Sequence, residues 1–247
     1  MMEIDTGSFV SERNGDRVLD GSRTGGLTWP TSPYVDTVVK VGGAVLSHAH
    51  HFTAALATVA AAARGHRLLV VPGGGPFADT VRDVDRRMTT LTDDAAHWMA
   101  VLAMEQYGHL IATHMLDATL VTDPSEIAAA FDADHVPVLA PYHWLRTADP
   151  LPHSWNVTSD SIAAWVSGVV GARCLVLVKP PGVHLDRTAP TRNNEAAADG
   201  RPRDGVLDAY FERALPHNVT PIVVPADRLE TLRVALSSID DGIPNRP

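Results

Sequence analysis

Short aliphatic and β-branched runs alternate with helix-favouring segments along most of this chain. The apolar runs span residues 35–41, 67–71, 136–141, 174–178 and 219–224, and the helix-favouring segments span residues 52–64, 76–87, 93–115, 158–170, 206–213 and 227–237. Strands of a parallel sheet are buried on both faces, so they read as continuous apolar runs, and each needs a helical connection to the next. The alternation therefore predicts an α/β fold with a mostly parallel sheet and helices on both faces.

The least regular segments set the predicted domain organisation. Residues 1–33 are polar and rich in Gly, Ser, Thr and Arg, which predicts a flexible N-terminal arm. We expect residues 34–247 to form one domain, because a chain of 247 residues is long enough for one large domain and shows no internal repeat. Within it, residues 184–204 are charged, contain proline and lack periodicity, which predicts an exposed loop.

Composition argues against several classes of protein. There are 20 Lys and Arg against 29 Asp and Glu, and the formal net charge of −9 makes nucleic acid an unfavourable partner. No apolar stretch approaches the roughly 18 residues of a membrane span, and the first residues lack the pattern of a secretory signal. The lone Cys174 cannot form an internal disulfide, as is typical of a reducing compartment. We therefore expect a cytoplasmic protein without nucleic-acid or membrane partners.

Two glycine-rich turns follow apolar runs. The first is Gly42-Gly43-Ala44, and the second is Gly73-Gly74-Gly75, which leads into a helix through Pro76. Ligands of open α/β sheets bind beyond the carboxyl ends of the strands, where bare backbone amides and a helix N-terminus attract anions. Neither turn matches the P-loop or the dinucleotide-binding pattern, and either alone is also compatible with a simple tight turn. Their joint occurrence, each after a strand, favours a phosphate cradle.

Two charged residues accompany these turns. Lys40 stands at the end of the first apolar run, two residues before the first glycine. It is either a strand-end side chain that reaches solvent or a cation that neutralises a transferring phosphoryl group. Asp160 lies in the first turn of a predicted helix, after the polar segment 152–158. It either caps that helix or faces the pocket and holds a lysine or Mg²⁺ in place.

Histidine is frequent, with 12 residues in the chain. His48, His50 and His51 follow the first glycine turn and are a candidate metal site. No carboxylate or cysteine lies beside them, so we favour a structural or acceptor-contacting role and assign no metal ligand. His97 is expected to be a buried structural residue, whereas His153 is the better candidate for contact with substrate.

Three motifs occur in the order found in the amino acid kinase superfamily: Lys40-x-Gly42-Gly43-Ala44, Gly73-Gly74-Gly75 with Arg82 downstream, and Asn156-x-Thr158-x-Asp160. The chain resembles that superfamily, which includes acetylglutamate, aspartate, uridylate and isopentenyl phosphate kinases, over residues 35–240. It is most similar to the branch that contains the furan-phosphate kinase of methanofuran biosynthesis, on the strings GGGPFADTVR, DDAAHWMAVLAMEQYG and LPHSWNVTSDSIAAW. Relatives in that branch are associated with tetrahydromethanopterin-linked one-carbon metabolism.

The resemblance implies a three-layer α/β/α sandwich with roughly eight strands in a largely parallel sheet. Residues 34–150 would hold the phosphoryl acceptor and residues 151–247 the nucleotide. Lys40 would contact the transferred phosphate, and Asp160 would organise the lysines. The implied phosphate- and acceptor-binding residues are Gly42, Gly43, Ala44, Gly73, Gly74, Gly75, Arg82, His153, Asn156 and Thr158, and the implied nucleotide-binding residues are Lys179 and Gly182. ATP and Mg²⁺ are the implied cofactors, and positioning and electrostatics would carry the reaction.

One departure from the superfamily pattern concerns the nucleotide site. After the late strand the pattern is Lys or Thr, one residue, and then Val-Asp-Gly-Val, whereas this chain has Lys179-Pro180-Pro181-Gly182-Val183 without the Asp. Residues 184–204 also lack a counterpart of the superfamily's Asp-Pro nucleotide loop. A chain of this kind can keep the phosphate cradle and lose the kinase activity.

Three functions therefore compete. The leading hypothesis is an ATP- and Mg²⁺-dependent kinase acting on a small metabolite that bears a phosphate or carboxylate, with a furan phosphate as the best acceptor. The alternatives are a non-catalytic oxyanion or nucleotide binder, as in the molybdenum storage protein of the superfamily, and a uridylate kinase-like enzyme. Members of the superfamily usually assemble, so we expect a homo-oligomer, a dimer or higher, with the apolar helix over residues 93–117 at the interface.

Overall fold

The structure, a computed structural model, describes residues 35–88, 91–183 and 206–237. Its strands are β1 (Thr37–Val41), β2 (Leu68–Pro72), β3 (Ala118–Val121), β4 (Val136–Leu139), β5 (Cys174–Lys179) and β6 (Thr220–Pro225). They form one sheet in the order β3-β4-β2-β1-β5-β6, and every pairing is parallel. The central strand β1 pairs with β2 from the N-terminal half and with β5 from the C-terminal half, so one sheet joins the two halves.

Helices cover both faces of this sheet. They are α1 (Ala49–Ala63), α2 (Gly75–Arg87), α3 (Asp93–His114), α4 (Pro124–Asp132), α5 (Tyr142–Ala148), α6 (Ser159–Val169), α7 (Phe211–Ala214) and α8 (Leu229–Ser237), and a 3-10 turn spans Gly43–Ser47. Thr92 caps α3, because its hydroxyl accepts a hydrogen bond from the Ala95 amide at 3.2 Å. In the described ranges, no helix is both long and apolar enough to cross a membrane.

Alternate residues of each strand pack into two different cores. Val38 of β1 joins the cluster that includes Ile162 and Ala163 of α6, whereas Val39 joins the cluster that includes Leu56 of α1 and Leu232 of α8. Successive strand side chains point to opposite faces of a sheet, so burial on both faces explains why the strands read as continuous apolar runs. The α/β prediction, with three layers and a parallel sheet, is confirmed.

Several details differ from the sequence-based expectations. The described residues contain six strands rather than roughly eight. The helix expected over 206–213 is only Phe211–Ala214, because residues 206–210 turn around the side chain of Asp208, which accepts the Tyr210 amide at 3.2 Å. The sequence analysis did not predict β3, α4 or α5. The expected arm over 1–33 and the expected loop over 184–204 lie outside the described residues.

Candidate functional site

Two lysines share one aspartate at the centre of the molecule. The Lys40 ammonium lies 2.8 Å from one carboxylate oxygen of Asp160, and the Lys179 ammonium donates to the other at 2.6 Å. All three side chains are at least nine-tenths buried. Asp160 therefore bridges two cations that water does not separate, which is the arrangement that the resemblance implied for an aspartate that organises lysines.

Strand periodicity and sheet order explain how these three residues meet. Lys40 lies two positions after Val38, so both side chains point to the sheet face that α6 covers. Lys179 ends β5, which is the parallel neighbour of β1, and Asp160 lies in the first turn of α6. The carboxyl ends of the two adjacent strands thus place both ammonium groups beneath the start of one helix.

Lysine is otherwise absent from this sequence. Of the 20 basic residues, only Lys40 and Lys179 are lysines, and the other 18 are arginines. Lysine carries a compact point charge, while arginine presents a wide planar fork, so the two are not interchangeable in a tight buried pair. The restriction of lysine to these two positions is a signal in the sequence that our motif-based reasoning missed.

Burial and neighbouring charges shift the pKa values of Asp160 and Lys179. Burial alone would raise the pKa of Asp160, but the two ammonium groups outweigh it and hold that pKa below its ordinary value. Burial, together with the like charge of Lys40, lowers the pKa of Lys179 to about 8 against the attraction of Asp160 and Asp208. The carboxylate is therefore ionised at neutral pH, and Lys179 is a cation poised close to deprotonation.

The two glycine turns touch each other directly above the ends of β1 and β2. The Gly73 amide donates to the carbonyl of Val41 at 2.8 Å. A Cβ on Gly43 would lie 2.0 Å from the amide nitrogen of Gly75, and one on Gly73 would lie 2.5 Å from the amide nitrogen of Gly43. No side chain fits between backbones this close, so glycine is required at the contact. The two turns form one surface, and its role as a phosphate cradle stays a prediction.

Gly75 and Gly42 shape this surface through their backbones, the first by its conformation and the second by its hydrogen bonds. Gly75 begins α2 in the left-handed region, at φ 58°, where a Cβ is strained. The Gly42 amide donates to Val178 at 2.8 Å, and its carbonyl accepts from the buried Tyr107 hydroxyl at 3.3 Å. Burial raises the pKa of Tyr107, so its phenol stays protonated and keeps donating to this turn. The first turn is therefore held from β5 and from α3.

A cleft opens beside the glycine turns and the start of α6. Of the candidate site residues, it is lined by Gly43, Ala44, Gly74, Gly75, Arg82 and Thr158, and its floor includes the apolar Ala78, Val101, Met104, Val157 and Ile162. Lys40, Asp160 and Lys179 are not in the lining; Ser159 and Ile162, which flank Asp160 on α6, are. Asp160, which holds the two lysines, is thus adjacent along α6 to residues that line the cleft.

Arg82 and Trp155 form a second wall of this cleft. The Arg82 guanidinium lies 4.8 Å from the centre of the Trp155 ring and is also paired with Asp79 at 3.0 Å. The Trp155 indole nitrogen donates to Asp85 at 2.6 Å. Stacking on an aromatic face and pairing with a carboxylate both restrict a guanidinium, so Arg82 presents its charge to the cleft from a fixed position.

Two histidines, His97 and His153, lie near the cleft. His97 lines the cleft, whereas His153 is not in the lining. The two imidazole rings stack on each other with their centres 4.1 Å apart. The two ring nitrogens of His153 lie 2.6 Å from Asp94 and 2.9 Å from Asp149. Burial and the neighbouring His153 lower the pKa of His97 to about 4, so His97 faces the cleft uncharged. A contact between His153 and substrate stays a prediction.

Several other candidate residues are not in the lining of the cleft. Asn156 is exposed, and its carbonyl accepts from the Tyr210 amide at 3.2 Å. Gly182 is exposed and has φ 76°, with open space where a Cβ would be. The rings of His48, His50 and His51 lie near one another, but the described residues contain no group of three or more His, Cys, Asp or Glu placed to hold a metal.

Comparison with known proteins identifies the family. The protein-family model described as the amino acid kinase family matches residues 37–195. The (5-(aminomethyl)furan-3-yl)methyl phosphate kinase of Methanocaldococcus jannaschii is 25% identical in an alignment of 220 residues that covers 78% of this chain and 99% of that protein.

Two solved structures share the fold. A uridylate kinase from Archaeoglobus fulgidus superposes with a TM-score of 0.57 at 16% identity, covering 81% of this chain and 95% of that one. A carbamate kinase from Giardia lamblia bound to AMP-PNP gives 0.50 at 10% identity, covering 87% and 99%. These likenesses agree with the parallel sheet and the flanking helices described above. The furan-phosphate, uridylate and carbamate kinases described above are all phosphotransferases. Because the family model spans more than half of the sequence, the chain belongs to the amino acid kinase family.

Proposed function

We propose that this protein is an ATP-dependent small-molecule kinase that transfers the γ-phosphoryl group to the phosphate of a furan-bearing phosphomonoester. The observation that carries the proposal is the lysine pair on Asp160 beside the touching glycine turns. The relative from Methanocaldococcus jannaschii, whose name specifies a furan phosphate, supports the choice of acceptor. Cytoplasmic one-carbon metabolism is the proposed setting.

The reaction requires little covalent chemistry from the protein. An oxygen of the acceptor phosphate bonds to the γ-phosphorus while the bond to the β–γ bridging oxygen breaks, so that ADP leaves and a diphosphate ester forms. Negative charge is spread over the transferring group, and its neutralisation is assigned to Lys40 and Lys179, which lie at the carboxyl ends of β1 and β5. Backbone amides of Gly43, Gly74 and Gly75 are the proposed contacts for phosphate oxygens.

The cleft wall suits an anionic acceptor with a flat ring. Arg82 offers a fixed positive charge, and Trp155 and the uncharged His97 offer ring faces or edges within the same cleft. The apolar floor suits the non-polar part of such a molecule. Phosphate at Arg82 and a ring among these side chains would place the acceptor beside the glycine turns, where the phosphoryl group is transferred.

The charges and backbone amides of the site suit a nucleotide and its metal. The two ammonium groups and the bare amides suit the phosphates of ATP, and the carbamate kinase of the same fold is bound to AMP-PNP. Since the described residues contain no carboxylate cluster for a metal, Mg²⁺ would be held chiefly by the phosphates, as is common for this ion. Bound Mg²⁺ would neutralise phosphate charge during transfer.

The decisive experiment is an assay of ADP formation from ATP-Mg²⁺ with a furan phosphomonoester, with UMP and with no acceptor. We expect turnover with the furan phosphate. Lys40→Met should lower kcat by about 10²–10³-fold, because one cation that stabilises the transferring group is lost. If Lys40→Met turned over as fast as the wild type, Lys40 would have no part in the mechanism. Turnover with UMP but not with the furan phosphate would favour the uridylate kinase alternative.

The non-catalytic binder remains the second candidate, because the Asp expected after Lys179 is replaced by Pro180-Pro181. Calorimetric titration with ATP-Mg²⁺ and with an oxyanion separates it from the kinase. Tight binding of either without ADP formation on any acceptor would favour the binder.

A further inference from the structure

Asp208 reaches from a distant part of the chain to the start of α6. Its carboxylate accepts hydrogen bonds from the amide of Thr158 at 2.9 Å, the hydroxyl of Thr158 at 2.7 Å and the amide of Ser161 at 3.0 Å. The Ser161 hydroxyl donates to the other oxygen of the same carboxylate. Four donors on both sides of Asp160 are therefore held by one buried side chain that lies 47 to 50 positions later in the chain.

We propose that Asp208 is a positioning residue of the phosphoryl-transfer site, which fixes the first turn of α6 and thereby holds the Asp160 carboxylate between the two lysines. The inference rests on the proposed kinase function. Asp208 touches neither the cleft nor the lysines in the contacts described, so its role is to orient Asp160 and Thr158, of which Thr158 lines the cleft.

Ordinary helix capping does not account for this arrangement. The Thr158 hydroxyl already caps α6 by accepting from the Asp160 amide, although at a long 3.4 Å. Asp208 is 4% exposed, and burying a carboxylate costs more than burying a neutral cap. Burial, together with the nearby Asp160 charge, raises the pKa of Asp208. That the Asp208 carboxylate is buried despite this cost indicates that its negative charge has a role in the site.

The charge of Asp208 acts on the lysine pair. With all four groups ionised, two ammonium groups and two carboxylates form a buried cluster of zero formal net charge. Lys179 is faced by Lys40 from β1, by Asp160 from α6 and by Asp208 from the turn before α7. Because Asp208 raises the pKa of Lys179, its removal should make this lysine lose its proton at lower pH.

The first test measures kcat and its pH profile in Asp208→Asn. This variant keeps the size of the side chain but removes its charge and one acceptor oxygen. We expect kcat to fall by about tenfold to hundredfold, since small displacements of reacting groups have effects of that size. We also expect the alkaline limb of the kcat profile to move to lower pH. Asp208→Glu, which retains the charge, should leave that limb where the wild type has it.

The second test needs no catalytic activity. Because the chain has only two lysines, protein labelled with isotopes in lysine gives two side-chain signals in an NMR titration, and Lys40→Arg assigns them. The Lys179 signal should titrate at lower pH in Asp208→Asn than in wild type. If the wild type forms no ADP on any acceptor, the proposed function fails while this titration still decides the role of Asp208.

Asp36→Asn is the matched control. Asp36 is also a buried carboxylate, at 1% exposure, and accepts the Arg67 amide at 2.8 Å, but it precedes β1 at the end of the strand away from Lys40. We expect it to lower stability without moving the lysine titration or the alkaline limb. Wild-type kcat and an unmoved Lys179 titration in Asp208→Asn would overturn the proposal.

A milder variant covers the case in which Asp208→Asn does not fold. Ser161→Ala removes one of the four hydrogen bonds and leaves the carboxylate in place. We expect it to fold and to lower kcat, because the first turn of α6 is held less firmly, while the Lys179 titration stays where the wild type has it, because the charge of Asp208 is retained. A wild-type kcat in Ser161→Ala would overturn the proposal here too.

Discussion

At the scale of single residues, the His153 ring packs against His97, which lines the cleft. Both of its ring nitrogens lie within hydrogen-bond distance of carboxylates, those of Asp94 and Asp149. Only the protonated ring can donate from both nitrogens. Burial alone would lower the pKa of His153, but its two carboxylate partners outweigh burial and raise that pKa overall. The ring against which His97 stacks therefore keeps its proton to a higher pH than an ordinary histidine does.

The raised pKa predicts a pH-dependent contribution to stability. A histidine whose pKa is higher in the folded state stabilises that state fully below its ordinary pKa of 6.5, and this stabilisation is lost as the pH rises through the folded-state pKa. We therefore expect His153→Gln to reduce the free energy of unfolding more at about pH 6 than at about pH 8.5. Urea denaturation of wild type and variant at both pH values measures the difference.

An exposed histidine provides the control for this measurement. His217 lies on the surface before β6, so His217→Gln should unfold like the wild type at both pH values. A His153→Gln deficit that is equal at both pH values, or larger at the alkaline one, would contradict the raised pKa of His153.

At the scale of elements, the site depends on how closely two turns approach. The turn after β1 and the turn after β2 meet with glycine against glycine, which brings the starts of the 3-10 turn and of α2 together. Any side chain at this contact would separate the two turns and the amides that they offer to phosphate. The geometry of the cradle is therefore a property of the pair of turns rather than of either turn.

Gly43→Ala tests this contact. Its Cβ would lie 2.0 Å from the Gly75 nitrogen and 2.3 Å from the Gly75 Cα, both of which are backbone atoms that cannot rotate away. We expect the free energy of unfolding of the variant to fall by about 1–3 kcal/mol, as it does at overpacked sites. We also expect the variant to lose most of its affinity for nucleotide. Urea denaturation and calorimetry with ATP-Mg²⁺ measure the two effects.

Gly65→Ala is the matched control, because no atom lies within 4 Å of the Cβ that it would add. It should match the wild type in stability and in nucleotide affinity. A Gly43→Ala protein that behaved like Gly65→Ala would show that the two turns are not held in contact in solution.

At the scale of the whole molecule, the helices α2 and α3 present apolar side chains to the surface. Val84 on α2, Met88 directly after α2, and Met99 and Leu102 on α3 are 36%, 55%, 36% and 40% exposed. Exposed apolar side chains, where they form a patch, are typical of surfaces that contact another protein. Two of these residues belong to the apolar helix that was expected at an interface.

We therefore predict a homo-oligomer that Leu102→Glu weakens. A buried charge without a partner disfavours association, so the average mass in light scattering at micromolar concentration should fall in this variant. Val234→Glu alters an exposed apolar residue of α8 and should leave the mass unchanged. A wild-type protein that is monomeric under these conditions would contradict the prediction.

Much of the architecture was predictable, because local patterns specify it. The apolar runs at 35–41, 67–71 and 174–178 became β1, β2 and β5, since burial on both faces demands apolar residues at every position. The element α5 was missed because its seven residues include aromatic and histidine side chains of modest helix propensity. Its start is stabilised instead by a distant contact, in which the Tyr142 amide donates to Glu105 at 3.0 Å.

The candidate site was likewise predictable from the sequence only in part. Lys40, the glycine turns and Asp160 are marked in the sequence by residues that are costly or unusual where they stand, namely a charge at the end of a buried strand and glycines after strands. The meeting of Lys179 with Asp160, the exposure of His97 to the cleft and the reach of Asp208 to α6 depend on which strands are neighbours and how a helix lies across them. Such contacts join residues dozens of positions apart, and local composition carries no trace of them, so only tertiary packing decided them.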